Sequence, residues 1–221
     1  MLGATVSPNP DTIAAATIGT PIARSYTITN QFGAFTGRAA GSTLGSAKVD
    51  RPTIANLAQL IRPVTVSAGS TSLRATIGDP SDQKADLDLF VYRCNDPGDN
   101  PATLQGCTLT GQSADGDSEE SVTIANPAAG DWAVLVDGFS VPTGSTAFDY
   151  VDVFTNAAFG SVSVTDANAL RPAGSSWTVP GSVTANQAPA TGRVLLGQVR
   201  VLTDVNILVG SGDVIVESVS P

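Results

Sequence analysis

Apolar and polar side chains alternate over short runs through the middle of this chain, and each run is bounded by Gly, Pro, Asn or Asp. Val64-Thr-Val66, Ser72 to Ile77, Asp86 to Tyr92, Ser121 to Ile124, Trp132 to Val136 and Tyr150 to Phe154 all follow this pattern. A period of two puts alternate side chains on opposite faces, so these segments predict half-buried strands. Before them stands one strand-like run, Ile22 to Thr29, followed by Gly/Ala/Ser-rich sequence up to Asp50-Arg51-Pro52. After them come Ser161 to Val164, Ser176 to Val179, Val194 to Thr203 and Asp213 to Ser218, with no helical periodicity between. The expectation is an all-β protein of two β-sandwiches, one of them a jelly roll. Each flank is too short in strands to close a sandwich alone. Residues 1–58 and 159–221 are therefore expected to pair as one discontinuous sandwich, with 59–158 inserted in it or following it.

Composition agrees, since 22 Gly and 14 Pro in 221 residues suit many short strands and turns. The charge narrows the partners. A formal net charge of −9, with Lys48 and Lys84 the only lysines, argues against nucleic acid and anionic membranes, both of which demand clustered cations. No apolar run approaches the roughly 20 residues of a spanning helix. The opening Met1-Leu2-Gly3-Ala4-Thr5 has neither a basic nor an apolar signal region, so Met1 either precedes an internal fragment of a secreted protein, which is the expectation, or is the true start of a cytosolic one. Cys94 and Cys107 bracket the polar loop Asn95 to Gly106 between strand-like runs, where the two thiols can meet across a hairpin mouth. Closing that loop stabilises by ~3 kcal/mol in the chain-entropy model, and the alternative is two unpaired buried thiols.

The run Asp86 to Tyr92 also carries chemistry. Leu87, Leu89 and Val91 share one face, which leaves Asp86 and Asp88 together on the other. Two carboxylates roughly 7 Å apart on one strand face repel unless water, a donor or a cation lies between them. Asp79 and Asp82 precede the strand, while Asp115, Asp117, Glu119 and Glu120 crowd the entry to another. That density suits Ca²⁺, which collects oxygen ligands, and Asp79, Asp82, Asp86, Asp88, Asp117, Glu119 and Glu120 are the candidate ligands. Asp115-Gly116-Asp117 lacks the length and ligand order of an EF-hand, and a solvated acidic rim is the plain alternative.

Asp86 with Asp88 or Glu120 could also serve as a glycosidase acid and base, at the ~5 to 9 Å such pairs require. Sugar binding, however, needs an aromatic platform. Trp132 and Trp177 fall on strand faces shared with Val134 and Val179, which reads as core, and only Tyr92, Phe139, Phe148 and Tyr150 remain for a rim. Gly41-Ser42-Thr43-Leu44-Gly45 sets its serine one position early for a nucleophile elbow and reads as a loop.

The acidic strand Ala85 to Tyr92, the strand entry Ser118-Glu119-Glu120-Ser121-Val122-Thr123 and the stretch Pro127 to Gly138 together resemble the bacterial pre-peptidase C-terminal (PPC) domain, a jelly-roll module of secreted peptidases. The whole chain is similar to the C-terminal region of secreted subtilisin-like serine peptidases, in which a fibronectin type III-like sandwich accompanies that module. Tyr26 to Asn30, Asp50 to Ile54, Gly174 to Val179 and Gly197 to Leu202 would belong to the companion. The resemblance implies a non-catalytic, extracellular accessory region, with a peptidase domain N-terminal to it, a protein substrate or extracellular polymer as partner, and structural calcium. Catalysis does not carry over, because the peptidase triad needs a histidine base and the chain has none. An adhesion or polysaccharide-binding module without a peptidase is the second reading.

Overall fold

A computed structural model describes residues 3–221; Met1 and Leu2, and with them the reading of the chain start, lie outside the described residues. Its strands are β1 (Ala4–Ser7), β2 (Asp11–Ile13), β3 (Ala16–Thr17), β4 (Ile22–Asn30), β5 (Phe35–Ala40), β6 (Gly45–Asp50) and β7 (Thr53–Ala55). There follow β8 (Gln59–Val66), β9 (Ser72–Gly78), β10 (Asp86–Arg93), β11 (Thr108–Ser113), β12 (Ser121–Ala125), β13 (Gly130–Ser140), β14 (Ser145–Ala147) and β15 (Asp149–Thr155). The chain ends with β16 (Gly160–Val164), β17 (Ala169–Arg171), β18 (Ser176–Ala185), β19 (Val194–Thr203), β20 (Leu208–Val216) and β21 (Val219–Ser220). The fold is all-β, and a single 3₁₀ turn, Ala157–Phe159, is the one helical element among the described residues.

Contacts divide the chain into two units. The central unit is Ala47–Thr155, and the flanking unit joins the described residues up to Ser46 with Asn156–Pro221. Residues 47–58, expected with the flanks, fall in the central unit. The cause is local: Thr53, Ile54 and Ala55 of β7 pair with Ala147, Thr146 and Ser145 of β14, and Ile54 is buried beneath that ribbon.

In the central unit one sheet runs β11-β10-β13-β8, and β12-β9-β15 are neighbours in a second. Alternation decides what each strand buries. Leu87, Leu89 and Val91 of β10 have no exposed surface, nor do Val134 and Val136 of β13, and Leu73 and Ala75 of β9 are equally enclosed. Removing each Leu or Val from water is worth about 1.5–3 kcal/mol, which locks the register, since a one-residue slip would bury Asp86 and Asp88 and expose the leucines.

The flanking unit has one sheet in the order β1-β4-β18-β16, while β17-β5-β19-β20-β2 are successive neighbours in the other, with β2 parallel to β20 and the rest antiparallel. Tyr26, Ile28, Val183 and Ala185 of the first and Leu195, Val199, Val201, Val214 and Val216 of the second are among its buried side chains. One polar group ties the two sheets. Asp11 of β2, 1% exposed, accepts from Arg24 Nε at 2.7 Å, from the same guanidinium's second nitrogen, and from the Tyr26 hydroxyl at 3.0 Å, both on β4. Burial and the Asp11 carboxylate push the Tyr26 phenol pKa well up, so it stays a donor.

Strands β5 and β6 were among those not expected, whereas β11 is the strand-like return expected after Cys107. β5 and β6 lie in Gly/Ala/Ser-rich sequence, where small residues serve close backbone approach: a Cβ on Gly37 would stand 2.2 Å from the Leu202 carbonyl oxygen. β11 is mostly exposed and polar, so it carries no apolar alternation.

Replacing Asp11 by Ala leaves the Tyr26 hydroxyl buried without its acceptor. The loss expected is about 2 kcal/mol, moderated because Arg24 reaches water, and urea unfolding of D11A against the parent measures it.

Candidate metal centre

A hairpin positions the acidic cluster. β10 pairs with β11 from Leu89↔Ser113 to Arg93↔Thr108, and the Cys94–Cys107 disulfide, Cα to Cα 4.4 Å, closes the loop beyond its far end. The chain leaving β11 must therefore return beside the start of β10, and there it forms the acidic loop of residues 114–120. Two bonds pin that loop to β10: Leu87 N donates to the Asp117 carbonyl at 3.2 Å, and Ser118 Oγ donates to the Ala85 carbonyl at 2.7 Å.

The result gathers six carboxylates, from Asp86, Asp88, Asp115, Asp117, Glu120 and Asp137. One oxygen from each of Asp115, Asp117 and Glu120 lies within 4.8 Å of the other two. Oxygens 2.3–2.6 Å from a shared Ca²⁺ stand at most about 5 Å apart, so three oxygens at this spacing are within reach of one such ion. Glu120 is 2% exposed and held by the Ser113 hydroxyl and by Asp115 N at 3.0 Å. Asp115 and Asp117 are exposed and bridge to the next residues, Asp115 Oδ1 accepting from Asp117 N at 3.2 Å and Asp117 Oδ1 from Glu119 N at 2.8 Å.

Asp86 faces this trio from the strand, close enough to be repelled by all three carboxylates but outside the group that shares the 4.8 Å spacing. Its Oδ1 is buried with no hydrogen-bond partner, which is costly for a carboxylate and fits a group that coordinates a cation. Burial, then repulsion from Glu120, Asp115 and Asp117, raises its pKa. Asp88 is raised by burial, then by Asp86, Asp137, Glu120 and Asp115. Asp137 is its cross-strand neighbour on β13, across a register shift between Asp86 and Asp88.

The other expected ligands are engaged elsewhere. Asp82 accepts from Thr143 N at 3.0 Å, Thr143 Oγ1 at 2.9 Å and Lys84 N at 3.1 Å, which hold its pKa low. Asp79 pairs with Arg51 at 3.1 Å, and Glu119 Oε1 accepts from Asp79 N at 2.8 Å. Asp86, Asp88, Asp117 and Glu120 come together; Asp79, Asp82 and Glu119 serve the neighbouring turns. Asp115 and Asp137 join the site without having been among the expected ligands. Asp115 was legible from its place in the acidic loop, whereas Asp137 is placed only by the β10–β13 register.

The aromatic residues give no platform. Phe148 and Tyr150 are fully buried, Trp132 is 2% exposed with its indole donating to Ala128 O, and Phe139 alone of the expected rim is strongly exposed. Trp177, expected in the core, is half-buried, with the Arg171 guanidinium stacked 4.1 Å from its ring centre.

Residues 63–138, which hold β10, the disulfide hairpin and the acidic loop, match the family model of the bacterial pre-peptidase C-terminal domain. The central unit contains a PPC-type domain. The match covers 76 of the 221 residues, none of them in the flanking unit. No curated protein matches the chain. Among solved structures, the Yersinia pseudotuberculosis-derived mitogen is similar at 14% identity over 50% of this chain and 86% of that one, with a TM-score of 0.36. PliG of Aeromonas hydrophila, a periplasmic inhibitor of g-type lysozyme, is similar at 16% over 66% of this chain and 99% of that one, with a TM-score of 0.35. Tripeptidyl peptidase 2 is similar at 10% over 76% of this chain and 21% of that one, with a TM-score of 0.34. Likeness of this order carries no functional argument.

The crowded carboxylates of the PPC-type domain set a pH dependence in chelator-treated protein. Because folding raises the pKa of Asp86 and Asp88, neither group costs stability below the ordinary carboxylate value of 3.8, and the full penalty is present once pH exceeds the raised values. Asp86→Asn is therefore expected to raise the metal-free thermal midpoint by a few degrees at pH 7 and to change it little near pH 3, as scanning calorimetry at both pH values will show.

Proposed function

We propose that this chain is a non-catalytic accessory region of a secreted subtilisin-like serine endopeptidase, with a PPC-type domain that holds a structural calcium ion. The PPC match over residues 63–138 carries the reading, because such domains are accessory parts of secreted peptidases. Three observations support it. The chain has no histidine for a triad. Its disulfide suits an oxidising, extracellular setting. The buried, unpartnered Asp86 Oδ1 beside Asp115, Asp117 and Glu120 suits a hard cation.

In this reading the flanking sandwich is the fibronectin type III-like companion, the catalytic domain lies N-terminal to both, and the region stabilises the enzyme or docks it on a protein substrate or extracellular polymer. Calcium here is a brace: with Asp86 and Asp88 on β10 and the remaining ligands on the 114–120 loop, an ion joins strand to loop and offsets the repulsion among their carboxylates.

The genetic test is the coding sequence upstream. A catalytic domain bearing Asp, His and Ser of a subtilisin-type triad supports the reading; a cell-wall anchor with no such domain replaces it with an adhesive module. The biochemical test is thermal unfolding in chelator and in calcium. Calcium at a hundred times its Kd adds about 2.7 kcal/mol, a rise of several degrees, and Glu120→Gln is expected to remove most of it. No calcium-dependent rise in the parent protein would leave the acidic face a solubility feature.

A further inference from the structure

The flanking unit has an open cleft of about 430 Å³ between the end of β5 and β16, and two arginines line it. In the β5–β19 register Arg200 stands opposite Ala40 and Leu202 opposite Arg38. Arg38 and Arg200 are thus diagonal neighbours on one sheet face, with Cβ atoms roughly 7 Å apart.

Neither guanidinium has a carboxylate partner among the described residues, in a chain with 20 acidic groups and only 11 basic ones. Arg38 donates only to amide oxygens, Asn168 Oδ1 at 3.2 Å and Asn206 Oδ1 at 2.9 Å. Arg200 donates to the Gly41 carbonyl at 3.1 Å, and its Nε–H is buried without an acceptor. Gly41 itself is pressed against the β16 backbone, where a Cβ would meet the Val162 carbonyl oxygen at 1.9 Å, so the cleft wall is fixed. Asp166, the one acid in the lining, is already neutralised: Arg171 pairs with it at 2.9 Å, and Trp177 Nε1 and Ala39 N donate to it at 3.0 and 2.8 Å.

We infer that this cleft binds a carboxylate carried on an acidic peptide segment, held between Arg38 and Arg200. A guanidinium fork matches a planar carboxylate in two parallel hydrogen bonds. A phosphate or sulfate dianion would meet about twice the repulsion from the net charge of −9. The rim favours a polypeptide over a free ion: Asn206, which holds Arg38, is flanked by Val205 and Ile207, 69% and 59% exposed, apolar surface that residues next to the carboxylate can cover. The inference concerns the flanking unit and does not depend on calcium or on a peptidase domain.

The test is an amide chemical-shift titration of ¹⁵N-labelled protein at constant ionic strength with N-acetyl-tetraglutamate amide, its tetraglutamine counterpart and sodium sulfate. Expected are saturable shifts at residues 39–43 and 161–164 with the glutamate peptide alone, weakened at least tenfold in Arg38→Gln. Arg38 bonds only to exposed amide side chains, so this variant keeps the fold, and an unchanged thermal midpoint checks that. The inference is overturned if no saturable shift occurs, if the glutamine peptide shifts the same amides equally, if R38Q binds as the parent does, or if sulfate competes as strongly as the peptide.

Discussion

Strand β10 is the element on which the central unit depends. Its leucines and valine are enclosed at Leu87, Leu89 and Val91, and the period of a strand then leaves Asp86 and Asp88 no choice of face. Hydrophobic burial thus sets two carboxylates side by side, and the chain must answer their repulsion. Neighbouring structure sharpens the problem rather than relieving it, since the 114–120 loop adds Asp115, Asp117 and Glu120, and β13 adds Asp137 opposite Asp88. Local bonds from Ser113 and backbone amides satisfy part of this charge. They leave Asp86 Oδ1 without a partner, and that is the strongest physical reason to place a cation there.

The disulfide and the acidic loop lie at opposite ends of one hairpin. Cys94–Cys107 fixes the end far from the acids, and the β10–β11 register carries that constraint back to Ser113, where the loop begins. A cation would do at the near end what the covalent bond does at the far one. The flanking unit uses a different device, the buried Asp11 that links β2 to β4 through Arg24 and Tyr26.

Much of this was legible in the sequence wherever burial wrote an alternation. β10 and β19 stand within a residue of the expected bounds, because a half-buried strand must alternate. β5 and β6 were illegible because small residues that permit close backbone contact look like loop, and β11 was legible only as the return arm after Cys107, since an exposed polar edge strand has no apolar face to announce its bounds. The candidate site was legible as a density of acid but not as a ligand set. Asp82 and Asp79 lie nearer in sequence to β10 than Asp117 or Glu120 do, yet the first caps a turn and the second pairs with Arg51. Register and turn hydrogen bonds decide between such roles. The same limit hid the pairing of Arg38 with Arg200, 162 positions apart in sequence and diagonal neighbours in the sheet.

The most direct measurement is a crystal structure of the chain grown in calcium, paired with one grown in chelator. The account predicts a single strong density peak in the calcium form, bound by Asp86, Asp115, Asp117 and Glu120 oxygens at 2.3–2.6 Å and absent in chelator. An Asp86 carboxylate bonded only to protein or water in both forms would contradict it.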